Sequence, residues 1–486
     1  MSLKAAAVRG ASWTVAARLG RTVMSLLALG ILSRFMGPAE FGAAALVAFV
    51  IAFAQMLADF GTRVALVQRQ EITRIEEDSV YWSNIALGIV ATAITLIFAE
   101  PMAALLGDAT VAAPLRWVAP IFLVVAMQGL PTTMLERRFA FSRIAAIEIL
   151  SSLAGALVAV GMAVAGWRLE ALIAQQMVTA VLGAGLSILF SGWWPKAQFS
   201  MAALRPLLAY GRYVTASAML QFFATSIDRP IIGNRLSAAD VGYVSVVYQM
   251  VVVPMRIVVT MVRRVMFPIM ASIQDDLERM RRGLLEVQYG MVVVMAPVCF
   301  GLWALAWPIV RLLLGPGWEP AAALMGYATL TALFTVYTDV NAIIFSARGH
   351  ARFQFLWSVV SLLANVAVLL LTVSSGIVAM AAARLALTLV LVPVNSWFAV
   401  RLVQMPLKDR LLVTLPPLVS AACMAGIVWA MDLWLAGAGA SHYLRLAIGV
   451  PLGILAYILL EMGVDRRRFL PFGRMLWAMG ARRVKR

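Results

Sequence analysis

The chain has 486 residues, of which 63% are hydrophobic and 13% are charged, and its mean hydropathy is +0.90. A soluble domain has about 45–50% apolar and about 25% charged residues, so this composition excludes a soluble protein and indicates a polytopic membrane protein. The formal net charge of +17 suits the anionic headgroups of a membrane surface. Nucleic acid is not expected as a partner, because no soluble domain is predicted that could hold it.

Continuous apolar runs of about twenty residues recur along the sequence, and such runs predict membrane-spanning helices. A transmembrane β-barrel would instead alternate apolar and polar residues in segments of about ten. The runs predict about 14 spans. Most of the 40 Lys and Arg residues then fall on one side, which predicts that both termini and the linker Ser191–Pro206 are cytoplasmic. The turns Arg34–Glu40 and Arg235–Asp240 are predicted to be periplasmic.

A repeat organises these spans, because the stretch Gly10–Gly42 returns two hundred residues later as Tyr210–Gly242. The matched positions are Ile31 with Ile231, Ala39 with Ala239, Glu40 with Asp240, Gly42 with Gly242 and Arg63 with Arg263. Six spans per copy is an even number, so a pseudo-two-fold axis along the membrane normal relates the copies. We predict an all-α fold with two six-helix lobes, two C-terminal helices and a basic cytoplasmic tail. The boundaries are 1–200, 201–410, 411–462 and 463–486.

Several arginines lie inside segments that should cross lipid, where arginine costs about 2.5–3.5 kcal/mol near the centre of a lipid-facing helix. We therefore expect them to face a wet, polar interior and to bind an anionic substrate, because the guanidinium fork matches phosphate oxygens. The candidates are Arg18, Arg21, Arg212, Arg229, Arg256 and Arg263. Arg18 and Arg21 share a helical face, as do Arg256 and Arg263. For Arg18 and Arg21 the alternative is contact with cytoplasmic headgroups.

Intramembrane acids are fewer than intramembrane arginines, and they are Asp59, Glu148, Asp228 and Asp339. Three of them, Asp59, Asp228 and Asp339, are candidates for coupling transport to H⁺ or Na⁺, because a buried carboxylate changes charge when it binds a proton or an ion. Neutralisation by an arginine is the alternative for each. Asp59 and Arg63 have the i, i+4 spacing of a helical ion pair, whereas Asp228 and Arg229 point about 100° apart on a helix.

The sequence lacks the signatures of catalysis and of a bound cofactor. It contains no Gly-rich P-loop with Lys and Ser/Thr, so we do not expect ATP to drive transport on this chain. His350 and His442 lie far apart in predicted loops, which gives no metal-ligand spacing. Cys299 and Cys423 lie inside apolar runs and are predicted to be buried packing residues. We predict no catalytic residue, no metal and no cofactor.

Several motifs occur in order between Gly10 and Arg410, and they include LSRFMGPAEFGAAAL, LERRFAFSRIAAIE, IDRPIIGNRLSAADVGYVSVVYQMVVVP and VMFPIMASIQDDLERMRR. Their order resembles that of the Wzx-type polysaccharide flippases, and is most similar to the branch with the colanic acid exporter. These belong to the multidrug/oligosaccharidyl-lipid/polysaccharide exporter superfamily. The resemblance implies two six-helix lobes around a central cavity that opens by alternating access.

The same resemblance implies a substrate, a location and partners. The cargo would be oligosaccharide repeat units linked to undecaprenyl diphosphate, moved from the inner to the outer leaflet of a bacterial inner membrane. They would supply exopolysaccharide, capsule or lipopolysaccharide assembly, with polysaccharide polymerase and assembly proteins as partners. We expect a monomer that contacts membrane lipids and its lipid-linked substrate.

Two other function classes compete with this interpretation. A cation-coupled multidrug exporter on the same fold would favour an acidic cleft, whereas arginine exceeds carboxylate here. A membrane polymerase or ligase generally needs an extended periplasmic loop. The longest predicted outward loop, near Glu100–Ala113, is too short for that role.

Overall fold

The computed structural model describes residues 20–59, 61–69 and 71–474, and within them the regular secondary structure is helical, without a β-strand. The predicted all-α fold is therefore confirmed. Contacts divide the chain into two compact units, Met1–Val246 and Val247–Arg486. The lobe boundary at residue 200 rests on the sequence repeat and stays a prediction.

The first unit is built from helices that pack side by side, above all α8 on α9, α7 on α9 and α4 on α7. Its helices are α1 (Gly20–Leu32), α2 (Pro38–Asp59), α3 (Thr62–Gln68), α4 (Arg74–Ile97), α5 (Ala99–Leu106), α6 (Ala112–Val118), α7 (Ile121–Arg137), α8 (Phe141–Val164), α9 (Leu169–Ser191), α10 (Met201–Ser226), α11 (Asp228–Arg235) and α12 (Ala238–Val247). Small residues such as Ala159 and Ala163 on α8 let the neighbouring backbones approach closely around Leu32 and Leu172.

The second unit centres on α14, which packs against α16 and α19, while α16 also packs on α18 and α19 on α20. Its helices are a π-helical turn (Tyr248–Val252), α13 (Val253–Ser272), α14 (Leu277–Ala304), α15 (Ala306–Leu313), α16 (Glu319–Ala347), α17 (Ala351–Thr372), α18 (Ile377–Leu402), α19 (Leu407–Gly437) and α20 (His442–Val464), followed by the helical segment 466–474. Met291, Met295 and Leu333 lie in its core. Cys299 is buried there as predicted, whereas Cys423 is exposed, so burial of both cysteines was wrong.

Eleven described helices are long and apolar enough to cross a membrane, and a bent pair formed by Ala109–Val118 and α7 makes up to twelve. The two remaining predicted positions hold α1 and α10, the first spans of the two repeat copies. Helix α1 is described only from Gly20 onward, and α10 carries Arg205 and Arg212, which lower its hydropathy. These helices define a multi-pass membrane protein and are consistent with the predicted count of about 14.

The matched glycines of the repeat make reciprocal close contacts inside the first unit. A Cβ atom on Gly42 would lie 1.6 Å from the carbonyl oxygen of Ala238, and one on Gly242 would lie 1.9 Å from that of Pro38. Pro38 and Ala238 are themselves equivalent positions in the repeat. A two-fold relation between the copies makes such a contact reciprocal, and the helix starts of α2 and α12 meet at equivalent residues.

The matched acids of the repeat cap these same two helices. Near the start of α2, Glu40 accepts a hydrogen bond from the N–H of Gly37 at 2.9 Å. Near the start of α12, Asp240 accepts one from the hydroxyl of Ser237 at 2.6 Å, and that hydroxyl accepts from the N–H of Asp240 at 3.2 Å. Acids in the first turn also interact favourably with the helix dipole. The repeated acid and glycine thus start each helix and allow the two starts to touch.

The segment between α9 and α10 is fastened to the start of α4. The main-chain N–H of Lys196 donates to the buried carboxylate of Asp78 at 2.9 Å, and the indole of Trp193 donates to Glu77 at 2.6 Å. The guanidinium of Arg74 lies 4.7 Å from the centre of the Trp193 ring and 3.3 Å from Asp78. This linker, which the sequence placed between the two lobes, is therefore a fixed part of the first unit.

We expect Asp78→Ala to release this linker. The substitution removes the acceptor of the Lys196 N–H and a partner of Arg74, and an unsatisfied buried group costs about 1–3 kcal/mol. Limited trypsin digestion should then cut after the exposed Lys196 faster than in the unsubstituted protein. Asp108→Ala, in an exposed turn, is the control and should leave the rate unchanged. Equal cleavage of both variants would show that Asp78 does not hold the linker.

Candidate substrate site

An irregular helix carries the arginines of the second unit. The span Ala238–Ser272 contains the π-helical turn, in which the N–H of Val253 bonds to the carbonyl of Tyr248, five residues back. Pro254 follows directly, and a proline has no N–H to continue the α-helical pattern. Such π turns are frequent at functional sites. The apolar run predicts one continuous span here, although Pro254 is a visible signal for an irregularity.

Arg256 and Arg263 follow this turn on one face of α13 and are both exposed. The Arg256 guanidinium donates to the Tyr248 hydroxyl at 3.4 Å, and Thr260 lies on the same face between the two arginines. The half-buried carboxylate of Asp339, on the adjacent α16, interacts electrostatically with both guanidinium groups. The structure therefore brings together three of the predicted site residues.

This group carries a net positive charge within a membrane-length helix. Two guanidinium groups act electrostatically on one carboxylate, and the exposed Arg264 follows directly on α13. In the described part of the chain, no acid forms an ion pair with Arg256 or Arg263. Because lipid exposure of arginine is costly, this face suits a wet path or an anionic ligand. Charge-assisted hydrogen bonds to a phosphate would offset the remaining charge.

In the first unit, Arg21 and Arg212 are also exposed. The guanidinium of Arg21, on α1, lies 3.6 Å from the carboxylate of Glu148 on α8, and both side chains remain well exposed at 50% and 36%. Arg212, on α10, stacks on the ring of Tyr213 at 4.7 Å and donates to its hydroxyl at 2.9 Å. Exposed pairs of this kind are weak, about 0–1 kcal/mol, so neither interaction holds its guanidinium group strongly. Arg18 lies outside the described residues.

Arg63 contacts two residues of α7. Its guanidinium donates to the hydroxyl of Thr133 at 3.3 Å and lies 3.8 Å from the carboxylate of Glu136, both on α7. Asp59 ends α2, whereas Arg63 lies on α3 after Gly61, whose φ is +66°. The i, i+4 spacing therefore does not fall on one continuous helix. The side chain of Asp59 lies outside the described residues.

Asp228 and Arg229 mark a break between α10 and α11 at Ile227. The carboxylate of Asp228 accepts a hydrogen bond from the main-chain N–H of Arg229 at 3.0 Å. Asp228 thus occupies the first turn of α11, where the helix dipole favours an anion. Both side chains are half-buried. Helix α11 starts at Asp228. The predicted angle of about 100° between Asp228 and Arg229 assumes that both lie inside one regular helix, so it describes only part of their geometry.

Two arginines of the second unit are buried near helix starts. Arg410 is 1% exposed and donates to the side chains of Asn341, at 2.7 Å, and Gln288. Arg445 forms a bidentate ion pair with Asp432, and the two side chains are 7% and 5% exposed. Both arginines lie near helix starts, where a single sequence does not distinguish a surface charge from a buried one.

The fold is similar to those of two solved transporters. The lipid II flippase MurJ, in an inward closed conformation, superposes with a TM-score of 0.76 at 15% identity, covering 94% of this chain and 99% of that one. An inward-facing multidrug resistance MATE family transporter of the MOP superfamily gives 0.60 at 13%, covering 80% and 98%. The helices and their arrangement thus define a membrane protein with the fold of these transporters.

The sequence also matches the family described as "Polysaccharide biosynthesis protein" over residues 31–323, so the chain belongs to that family. The succinoglycan biosynthesis transport protein ExoT of Rhizobium meliloti is 26% identical over 96% of this chain and 95% of its own length. The teichuronic acid biosynthesis protein TuaB of Bacillus subtilis is 23% identical over 93% and 94%. The lipopolysaccharide biosynthesis protein WzxC of Escherichia coli is 25% identical over 73% of each chain. The family resemblance predicted from the ordered motifs is confirmed.

Proposed function

We propose that this protein is a flippase that moves undecaprenyl-diphosphate-linked oligosaccharide units from the inner to the outer leaflet of the bacterial inner membrane. Its family is one of polysaccharide biosynthesis, and three relatives are named for succinoglycan transport, teichuronic acid and lipopolysaccharide biosynthesis. The similar fold of a lipid II flippase supports a lipid-linked sugar as cargo. The product supplies exopolysaccharide, capsule or lipopolysaccharide assembly, with polymerase and assembly proteins as partners.

The observation that carries the proposal is the shared carboxylate of the second unit. Arg256 and Arg263 both interact electrostatically with Asp339, so two positive charges face one negative charge and the group retains positive charge for an incoming anion. A diphosphate offers several charged oxygens, and guanidinium groups bind such oxygens through two parallel hydrogen bonds. The sugar and the lipid tail supply no charge of this kind. We therefore assign the diphosphate to this group and to a central arginine-rich cavity that also contains Arg21, Arg212 and Arg229.

Transport through this cavity is proposed to follow alternating access without ATP. Binding must stay moderate in each state, because a carrier that holds its anion tightly on one side does not release it on the other. Arginines contributed by both lobes would change their spacing as the lobes rock. Coupling to H⁺ or Na⁺ is assigned to Asp59, Asp228 and Asp339. The protein works as a monomer with both termini in the cytoplasm.

Replacement of Arg256 or Arg263 with alanine should impair polysaccharide export in a flippase-deficient strain. Loss of one charge-assisted hydrogen bond costs about 1.5–3 kcal/mol, which corresponds to about a 10- to 150-fold loss of transport. Lysine at either position should restore activity only in part, because it keeps the charge but lacks the planar fork. Surface polymer and membrane abundance of each variant should be measured in parallel.

Arg116→Ala is the matched control. Arg116 pairs with Glu100 on an exposed surface, so its loss should leave export unchanged. Full export by both the Arg256→Ala and Arg263→Ala variants at normal abundance would contradict the proposed anion site. A multidrug exporter, which the MATE-like fold favours, would instead confer resistance to cationic drugs and would tolerate or gain from loss of these positive charges.

A further inference from the structure

A buried carboxylate lies at the end of α20, apart from the arginine group. The side chain of Glu461 is 0% exposed, and neither of its oxygens has a hydrogen bond within the described residues. The hydroxyls of Ser420 on α19 and Tyr289 on α14 interact with this carboxylate. They too are buried, and neither forms a hydrogen bond of normal geometry there. Four oxygen atoms from three helices therefore lie near one another without forming hydrogen bonds of normal geometry.

The polar groups next to Glu461 already have other partners. The Tyr457 hydroxyl donates to the main-chain carbonyl of Val293 at 3.0 Å, so its proton does not reach Glu461. Arg468 lies 3.4 Å from the carboxylate of Asp465 and donates to the carbonyl of Leu412 at 3.2 Å. Asp465 adds a second negative charge that acts on Glu461. In the described part of the chain, no cationic side chain forms an ion pair with Glu461.

An aromatic cover closes this group on one side. In the helical segment 466–474, the ring of Phe469 packs edge-on against Tyr457 at 6.4 Å, and that of Phe472 packs edge-on against Tyr289 at 5.9 Å. A Cβ atom on Gly290 would lie 3.1 Å from the Phe472 ring, so glycine permits this close packing. The cover keeps water away from the carboxylate and thereby raises the cost of leaving it charged.

An isolated ionised carboxylate in such a place costs several kcal/mol, so a positive charge must accompany it. Because Arg468 already pairs with Asp465, Glu461 leaves one unit of negative charge, which one monovalent cation neutralises. Carboxylate and hydroxyl oxygens are ligands suited to a proton or an alkali cation. We propose that Glu461, Tyr289 and Ser420 form a binding site for one monovalent cation, H⁺ or Na⁺. Its occupancy stabilises the packing of α14, α19 and α20 under the cover. This inference does not depend on the proposed cargo.

Thermal unfolding of the purified full-length protein in detergent tests the site. The midpoint temperature should rise by about 2–4 °C per tenfold increase in ligand above its Kd. If the ligand is Na⁺, the rise appears when NaCl replaces choline chloride at fixed pH. If it is H⁺, the rise appears on lowering the pH without Na⁺. In Glu461→Gln, which keeps the shape but removes the charge, the response should disappear, whereas Glu278→Gln, an exposed acid on α14, should retain it.

A pair of milder variants keeps the test decisive if Glu461→Gln does not fold. Ser420→Ala and Tyr289→Phe each remove one hydroxyl beside the carboxylate. If the ligand is Na⁺, each should raise the Na⁺ concentration of half-maximal stabilisation at least several-fold. If it is H⁺, each should shift the pH of half-maximal stabilisation upward, because the hydroxyls favour the ionised carboxylate. Unfolding midpoints that do not depend on Na⁺ or pH in the unsubstituted protein would overturn the proposal. So would an unchanged ligand response in Glu461→Gln or in both milder variants.

Discussion

Alanine at Gly42 or Gly242 is expected to abolish the function of this protein and to lower its abundance. The added methyl group would lie 1.6 Å or 1.9 Å from a backbone carbonyl oxygen of the facing helix. A backbone atom cannot leave by rotating a side chain, so α2 and α12 would have to separate. The cost should exceed the 1–3 kcal/mol typical of an overpacked core. Thermal unfolding of each variant, together with polymer export in a flippase-deficient strain, measures this effect.

Gly161→Ala provides the matched control, because Gly161 lies inside α8 and a Cβ atom there would meet nothing within 4 Å. Alanine is up to about 1 kcal/mol better than glycine in a helix interior, so this variant should be as stable as the unsubstituted protein or more so. If Gly42→Ala and Gly161→Ala unfolded at the same temperature, the close contact between the two repeat copies would be refuted.

The repeat was the part of the fold that the sequence predicted best. Gly42 and Gly242 fell opposite each other in ungapped register, and the structure brings these two positions together. The acids Glu40 and Asp240 were also matched, and both prove to cap helix starts. Such features are local and repeated, so the same chemical requirement leaves the same residue type in each copy.

The breaks and buried charges were harder to predict. Helix α2 ends at Asp59 and α3 begins after Gly61, and a hydropathy average over a membrane-length window does not locate such a short break. The burial of Arg410 and Arg445 could not be predicted, because counting Lys and Arg along the chain measures their position but not their burial. Within the candidate site, helical periodicity predicted that Arg256 and Arg263 share one face of their helix. Their shared electrostatic interaction with Asp339 depends on the packing of α13 on α16, which the sequence does not show.

The buried ion pair between α19 and α20 leads to the second large effect. Arg445 donates to both carboxylate oxygens of Asp432, at 2.7 Å and 2.5 Å. Asp432→Ala would leave the guanidinium buried without its partner, and breaking a buried pair in this way costs about 3–5 kcal/mol. Replacing both residues with leucine should cost far less, because well-packed apolar residues often substitute for a buried pair without loss. Thermal unfolding of Asp432→Ala and of the double leucine variant measures the difference between them.

The double variant decides whether the charges or only the volume of these side chains hold the two C-terminal helices together. If the ion pair did not contribute to stability, Asp432→Ala would lower the unfolding temperature no more than Glu100→Ala does. That variant breaks the exposed pair with Arg116 and should cost less than about 1 kcal/mol. If Asp432→Ala is severe and the double leucine variant is nearly neutral, the penalty arises from the orphaned guanidinium. In that case α19 and α20 should dissociate from α14 in Asp432→Ala, because α19 packs on both α14 and α20, and export should fall with stability.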